Sequence, residues 1–410
     1  MTVTLTNAPL SWTVDAIASK SAAHRMLICA ALADGPSVLS LNATSEDIHA
    51  TLRCLCALGA TITADGDCLT VTPPAQYPEE ADFDCGESGS TLRFLVPIAA
   101  ALGIKASFTG RGRLPQRPMQ PLLDALRSHG VAVADGVPLR ISGKLRPGVF
   151  TVPGNISSQF ITGLLLALPL CGGESLLRVQ GSLESRPYVD LTMQALSRFG
   201  VMIPEKANSF DIPAARYRHG NFIVEGDWSN AAFWLCAGVA VRGLDMTSVQ
   251  GDRRVLDCLR AFGATVDAAD GAVRADCGGL HGCEINAADI PDLVPVLAVL
   301  AAAATGRTRI VGAARLRLKE SDRIAATAAM LTALGGTVQE TDDGLLIDGR
   351  PTLAGGTVDG AGDHRIVMAA AVAAQRCAGP VTICGAEAVN KSYPSFFTDY
   401  QKCGGQVHVL

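Results

Sequence analysis

Apolar positions along the chain alternate between two spacings. A leucine-rich stretch at helical spacing gives way to a glycine and then to a β-branched stretch at strand spacing. The copies read LRCLCALGATI at residues 52–62, LDALRSHGVAV at 123–133 and MQALSRFGVMI at 193–203. They continue as LDCLRAFGATV at 256–266, AMLTALGGTV at 329–338 and FTDYQKCGGQV at 397–407. The matching glycines are Gly59, Gly130, Gly200, Gly263, Gly335 and Gly404, spaced by 71, 70, 63, 72 and 69 residues. Glycine suits a helix end because it enters the left-handed conformation without a Cβ clash. Recurrence at one period predicts a fold built from six copies of one unit, most simply grouped as two lobes of three.

Between these phrases lie second helices, predicted over 22–32, 91–102, 159–168 and 231–239. Two helices and several strands per unit make an α/β chain. The short interval of 63 spans the polar stretch 211–221, followed by Glu225-Gly226-Asp227 before a new helix, which marks a crossing between lobes. The first strand, at residues 2–5, ends before Pro9 and could complete a sheet of the second lobe. The lobes are then expected at 18–225 and at 1–17 plus 226–410.

The 48% apolar content and 18% charged content allow large cores and give no disorder signature. Aromatics are only 5%, so Ala, Leu, Val and Ile must do most of the packing. A net charge of −5 argues against nucleic acid as a partner. The 13 cysteines are scattered without a CxxC pair, which leaves zinc and redox motifs unsupported. Cys29, Cys54, Cys236 and Cys258 lie in apolar runs, where thiols act as small hydrophobes. With no signal peptide read at the start, a reducing cytoplasm is expected. The apolar stretches near 290–305 and 366–374 are interrupted or too short to span a bilayer, so no membrane role is expected.

The cations are more telling than their sum. Ser19-Lys20-Ser21 opens one predicted helix, with Arg25 one turn in. Gly86-Glu87-Ser88-Gly89-Ser90-Thr91 opens a second, with Arg93 beside it, and Ser157-Ser158-Gln159 opens a third. Helix starts present unpaired N–H groups and a positive dipole end, so hydroxyls, glycines and a cation there form an anion site. Any one of them alone is also what an ordinary N-cap looks like; three in one lobe favour the anion site. Lys319 and Arg323, read as four apart on a helix, share a face in Leu318-Lys319-Glu320-Ser321-Asp322-Arg323, which is equally the pattern of a solvated charged face. Asp363-His364-Arg365 precedes the apolar run 366–374, where buried charge demands partners. Asp292 precedes another apolar helix, where the dipole favours an acid. Lys391 says little alone.

Taken together, these segments resemble the 5-enolpyruvylshikimate-3-phosphate (EPSP) synthase family, the 3-phosphoshikimate 1-carboxyvinyltransferases. The resemblance runs through SKSxxxR at 19–25, GESGSTLR at 86–93, RPMxPLLDAL at 117–126, SSQF at 157–160 and ESRPYVDLT at 184–192. It continues through EGDWSNAAF at 225–233, LKESDR at 318–323 and DHR at 363–365. It implies a two-lobed inside-out α/β barrel of six βαβαββ units, three per lobe, that closes over substrates bound in the cleft between lobes. The implied reaction moves the enolpyruvyl group of phosphoenolpyruvate to the 5-hydroxyl of shikimate 3-phosphate, releasing phosphate, in the shikimate pathway to chorismate and the aromatic amino acids. It needs no cofactor, no metal and no activated cysteine, and a monomer is expected.

Carried over residue by residue, the resemblance gives Ser21, Arg25, Ser157, Ser158, Ser185, Tyr188, Asp292 and Lys319 to shikimate 3-phosphate. It gives Lys20, Gly89, Arg117, Gln159, Arg323, Arg365 and Lys391 to phosphoenolpyruvate. Arginine suits these anions because its planar fork meets carboxylate and phosphate bidentately. Asp292 is the candidate base near the sugar hydroxyl, Glu320 the candidate for proton exchange at the methylene carbon, and Lys20 a candidate acid. The chain departs from the usual pattern at Glu87, Ser90 and Phe94 in the glycine-rich loop, and at Arg315 before LKESDR. The alternatives are the UDP-N-acetylglucosamine enolpyruvyl transferase, whose pattern includes a loop cysteine that residues 111–116 lack, and a non-catalytic ligand-binding relative, which would have shed some of these acids and cations.

Overall fold

The computed structural model describes residues 1–134, 136 and 138–410. The chain folds into two compact units, Ala18–Val224 and Met1–Ile17 together with Glu225–Leu410. The recurring phrases form the helices Glu46–Ala57, Gln120–Arg127, Arg186–Arg198, Val255–Ala261, Arg323–Ala333 and Phe396–Lys402. The glycine after each sits at φ between +79° and +99°, which only glycine adopts cheaply. Five of the phrases then enter a strand. The copy after Gly200 does not: Pro204 has no N–H to give a ladder, so Val201 and Ile203 pack as buried irregular chain and the next strands are Glu205–Lys206 and Ser209–Ile212.

Among the described residues the strands make six four-stranded sheets, three in each unit. Every sheet has one parallel pair at an edge, followed by two antiparallel neighbours. Glu80–Asp84, for example, runs parallel to Lys105–Thr109, with Leu139–Gly143 and then Val131–Ala134 antiparallel beyond it. The first strand, Thr2–Thr6, lies antiparallel between Val381–Cys384 and Gln406–Val409, filling a place that in the other sheets belongs to a later strand. Two strands are exchanged where the chain passes between units. Thr13–Asp15 leads into the Lys20–Ala31 helix but pairs with Ala240–Arg242, and Asn221–Ile223 leads into the Trp228–Cys236 helix but pairs with Ser37–Ser40.

Parallel strands need a long crossover, and here a second class of helix serves it. Lys20–Ala31, Gly89–Leu102 and Ser158–Ala167 occupy one unit; Trp228–Cys236, Val294–Ala303 and His364–Ala373 occupy the other. Lys20–Ala31, Gly89–Leu102, Ser158–Ala167 and Trp228–Cys236 begin one to three residues before the predicted starts, because their serine and aspartate caps lie earlier than the apolar runs. Gly89–Leu102 buries twelve of fourteen residues and Val294–Ala303 nine of ten. Helices apolar on every side belong in a core. The phrase helices are instead one-sided: Glu46–Ala57 buries Ile48, Thr51, Cys54 and Leu55 and leaves Glu46 and Arg53 exposed. All thirteen cysteines are free thiols, and Cys29, Cys54, Cys236 and Cys258 are core residues. Among the described residues no helix is long and apolar enough to cross a membrane.

The inner helices pack backbone to backbone where glycine permits. A Cβ at Gly163 would strike the Arg93 carbonyl of the neighbouring helix and stand 3.0 Å from Pro97 Cγ. Gly163→Ala should therefore cost about 2 kcal/mol or more through overpacking. The check is a lower urea midpoint at unchanged slope.

Candidate active site

An apolar core helix can meet polar chemistry only at its ends, and Lys20, Ser21, Arg25, Gly89, Ser157, Ser158, Gln159, Asp292 and Arg365 lie at or near the starts of inner helices, while Arg117, Ser185, Tyr188, Lys319, Glu320, Arg323 and Lys391 lie on other elements. In the Ala18–Val224 unit the caps are serines. Ser19 Oγ accepts from Ala22 N at 3.4 Å, Ser88 Oγ from Thr91 N at 3.2 Å and Ser157 Oγ from Gln159 N at 3.3 Å. Such caps satisfy donors without neutralising the positive helix end. In the other unit the corresponding residues are acids. Asp227 Oδ1 accepts from Asn230 N at 2.8 Å and Asp363 Oδ1 from Arg365 N at 3.0 Å, while Asp292 sits in the turn Pro291–Leu293 just ahead of Val294–Ala303.

Around the serine caps the cations are held in place by neighbouring elements. Lys20 Nζ donates to Asp47 Oδ2 at 2.8 Å. Arg93 donates from Nη1 to Gln159 Oε1 at 2.8 Å and from Nη2 to the Pro118 carbonyl at 2.8 Å; Gln159 Nε2 donates in turn to Ser90 Oγ at 3.0 Å. A Cβ at Gly89 would stand 2.6 Å from Arg117 Nη1 and 2.7 Å from Arg93 Nη1, so glycine is what lets two guanidinium groups converge on this helix start. Arg25 is 2% exposed. It donates from Nε to Thr192 Oγ1, from Nη1 to the Ser21 carbonyl, and from Nη2 to Thr162 Oγ1 and the Tyr188 carbonyl. Four of its five N–H groups are thereby committed to protein. Burial lowers its pKa to about 10, still charged at neutral pH. Ser185, 3% exposed at φ +54°, holds a left-handed conformation that costs a non-glycine residue about 1–2 kcal/mol.

The other unit builds an ion cluster. Arg323 donates from Nε to Asp363 Oδ2 at 2.7 Å, from Nη1 to Asp292 Oδ1 at 2.7 Å and from Nη2 to Glu320 Oε2 at 2.6 Å. A further Nη2 bond to Asp363 Oδ1 at 3.3 Å commits four of its five N–H groups as well. Arg365 Nη2 donates to Asp292 Oδ2 at 3.0 Å, Lys319 Nζ stands 3.9 Å from Asp292 Oδ1, and Lys391 Nζ donates to the Gly362 carbonyl at 2.7 Å. Burial would raise the Asp292 pKa, but Arg365, Lys319 and Arg323 outweigh it and hold the carboxyl well below the usual carboxylate range.

One expectation needs correcting. Lys319 and Arg323 do not share a helix face: Ala314–Leu318 is a short 3-10 turn, and the helix begins at Arg323 with Asp322 Oδ1 capping Ala325 N. An aspartate's preference for the cap position ends one element and starts the next. Tertiary pairing through Asp292, Glu320 and Asp363 joins these cations instead. Asp363 is the acid that sequence reasoning left out of the site. It is fully buried and also accepts from Ser321 Oγ at 3.0 Å; its place ahead of a wholly apolar run was the available signal. Thr162, which also holds Arg25, gave no local signal, and Thr192 entered only as the last residue of ESRPYVDLT.

The sequence profile of EPSP synthase (3-phosphoshikimate 1-carboxyvinyltransferase) matches residues 5–400. The 3-phosphoshikimate 1-carboxyvinyltransferase of Clostridium acetobutylicum is 44% identical over 405 residues, covering 95% of this chain and 94% of that one. This chain belongs to the EPSP synthase family. The EPSP synthase structure from Acinetobacter baumannii superposes with a TM-score of 0.81 at 26% identity, covering 100% of both chains. The enolpyruvyl transferase NikO from Streptomyces tendae, at 21% identity and TM-score 0.76 over 99% of this chain and 98% of its own, shares the fold.

The departures from the family pattern have local partners. The Glu87 carboxylate lies against Gly112, Ser90 accepts from Gln159, Phe94 places its ring 5.1 Å from the Arg25 guanidinium, and Arg315 Nη2 donates to the Ala288 carbonyl at 2.7 Å. Beside the ion cluster lies Asp252, 4% exposed, with Oδ1 unpaired. Burial first, then the Asp292 charge, push its pKa up to about 7, against the pull of Arg365. A carboxyl raised on folding stabilises the fold below its unfolded value near 4, and that contribution is lost as pH rises through about 7. Asp252→Asn removes the titration. Relative to the wild type, the variant should gain roughly 2–4 kcal/mol of stability between pH 4 and pH 8. Urea titrations at the two pH values provide the check.

Proposed function

We infer that this chain transfers the enolpyruvyl group of phosphoenolpyruvate to the 5-hydroxyl of shikimate 3-phosphate, releasing phosphate. The observation that carries this is chemical economy within a whole-length family match. The two substrates together carry two phosphates and two carboxylates. The chain provides three serine-capped inner helix starts in one unit, and in the other Arg365 at an inner helix start with Lys319, Arg323 and Lys391 on adjoining elements. The missing cysteine in 111–116 weighs against the UDP-N-acetylglucosamine reaction.

Within this reading Lys20, Gly89, Arg117, Gln159, Arg365 and Lys391 meet phosphoenolpyruvate, and Ser21, Ser157, Ser158, Ser185, Tyr188 and Lys319 meet shikimate 3-phosphate. Arg25 and Arg323 keep their assigned ligands, but with one N–H each to offer they act mainly as buried charges that hold their surroundings. Asp292 is the base for the 5-hydroxyl. Clamped by Arg323 and Arg365 it is a weak one, and it gains proton affinity as anionic ligands draw Arg365 and Lys319 to themselves. Glu320, held by Arg323, exchanges the proton at the methylene carbon, with Lys20 as an acid. The architecture in this reading is a pair of inside-out α/β barrels, each of three βαβαββ units. The identical pairing order of all six sheets supports it.

Phosphate release should require both substrates; release from phosphoenolpyruvate with UDP-N-acetylglucosamine instead would overturn the assignment. Arg365→Ala should weaken phosphoenolpyruvate by about 1.5–3 kcal/mol, the scale of a charge-assisted hydrogen bond. Shikimate 3-phosphate alone should bind nearly as before, as calorimetry would show. Glu320→Gln preserves shape and removes the proton, so kcat should fall roughly 100-fold with KM values within a few-fold. Unaltered entry of solvent deuterium into the methylene group would remove Glu320 from the chemistry.

A further inference from the structure

His24 lies in the middle of the Lys20–Ala31 helix, 1% exposed, among apolar neighbours and between the cations Lys20 and Arg25. A buried imidazole at such a place needs a partner. Its Nδ1 is 2.7 Å from Thr51 Oγ1; Thr51 Oγ1 is 2.7 Å from Thr91 Oγ1; and Thr91 Oγ1 donates to Ser88 Oγ at 2.7 Å. Thr51 and Thr91 are fully buried, and Ser88 is 1% exposed. Ser88 Oγ also accepts the Thr91 N–H, as the cap of the Gly89–Leu102 helix.

The direction of this relay can be worked backward. Thr91 gives its only hydroxyl proton to Ser88, so toward Thr51 it must accept. Thr51 therefore donates to Thr91 and must accept from His24. His24 carries its proton on Nδ1, and Nε2 is a buried lone pair with no hydrogen-bond partner. The relay is one rung of a two-rung ladder. Lys20 and His24 are four apart on one helix, Asp47 and Thr51 four apart on the next, and the pairs Lys20–Asp47 and His24–Thr51 join them.

We propose that His24 is a positioning residue for the Gly86–Thr91 loop: as the Nδ1–H tautomer it orders the Thr51–Thr91–Ser88 hydroxyls and so fixes the cap on which Gly89 and its two guanidinium neighbours are set. The proposal rests on the reading of Gly89 and Arg117 as phosphoenolpyruvate residues. Burial first, then Lys20 and Arg25, hold the imidazole pKa well below the usual histidine value, which keeps the neutral form in place. Across from it, Thr51 and Thr91 bring no charge to the relay; the nearby carboxylate of Asp47 is paired with Lys20.

The test compares His24→Leu, Thr51→Val, the double variant and His24→Asn. Asparagine can set its amide nitrogen where Nδ1 stands. His24→Leu and Thr51→Val should each raise KM for phosphoenolpyruvate about tenfold, the worth of one hydrogen bond, while KM for shikimate 3-phosphate moves little. The double variant should be no worse than either single one, and His24→Asn should restore KM to within a few-fold. Nitrogen-15 NMR of the wild-type imidazole should show a neutral Nδ1–H tautomer that does not titrate between pH 5.5 and 8.5. An Nε2–H or titrating ring, or additive losses in the double variant, would overturn the proposal. If the wild type lacks enolpyruvyl transfer, the functional reading fails by itself. The NMR tautomer and the coupling of His24 and Thr51 in urea stability then still decide the relay. Should His24→Leu not fold, Thr51→Val and the NMR measurement carry the test.

Discussion

The chemistry of this chain depends on burying helices that are apolar on every side. Each inner helix satisfies its own backbone along its length, but its first N–H groups have no intrahelical partner. A core cannot tolerate those donors unsatisfied. Every inner helix therefore starts with a side chain or turn that answers them, and these starts are where polar residues concentrate. Ser19, Ser88, Ser157, Asp227 and Asp363 are caps before they are anything else.

The same requirement met in two ways gives the units different electrostatic characters. Serine caps leave a positive helix end available to an anion. Aspartate caps cancel it, and a buried carboxylate there must itself be answered, as Arg323 answers Asp363. Each unit also contains one arginine with four of five N–H groups committed, Arg25 through threonine hydroxyls and carbonyls and Arg323 through three carboxylates. Neutral partners leave the Arg25 charge uncompensated inside its unit. Carboxylate partners make Arg323 a counter-ion that raises the acidity of Asp292. The proton affinity of Asp292 is thereby tied to the positions of Arg365, Lys319 and Arg323.

Some features were readable in the chain and others only in its folding. The six helix–glycine phrases, five of the strands after them, the inner helices and the cation-bearing starts were legible because they depend on local rules: apolar period, glycine at positive φ, and hydroxyl or acid at a cap. No strand forms directly after Gly200 because Pro204 lacks a donor, which the sequence itself displays. The four-residue spacing of Lys319 and Arg323 suggests a shared helix face, but Asp322 caps a new helix that begins at Arg323.

Sequence alone thus determined the α/β pattern and the family, since those follow from short-range patterns and ordered motifs. Tertiary structure alone decided how the polar residues are paired. Asp363 as the hub of the ion cluster, Thr162 and Thr192 beneath Arg25, Asp252 beside Asp292, and the hydroxyl relay from His24 through Thr51 to Thr91 all join residues from 27 to 167 positions apart. No local pattern encodes such contacts, because they exist only when separate helices are packed. The burial that packing brings also sets their strength: Asp252 is driven toward its neutral form, Asp292 is held charged, and His24 is kept neutral, although nothing in their neighbouring sequence distinguishes one acid from the other.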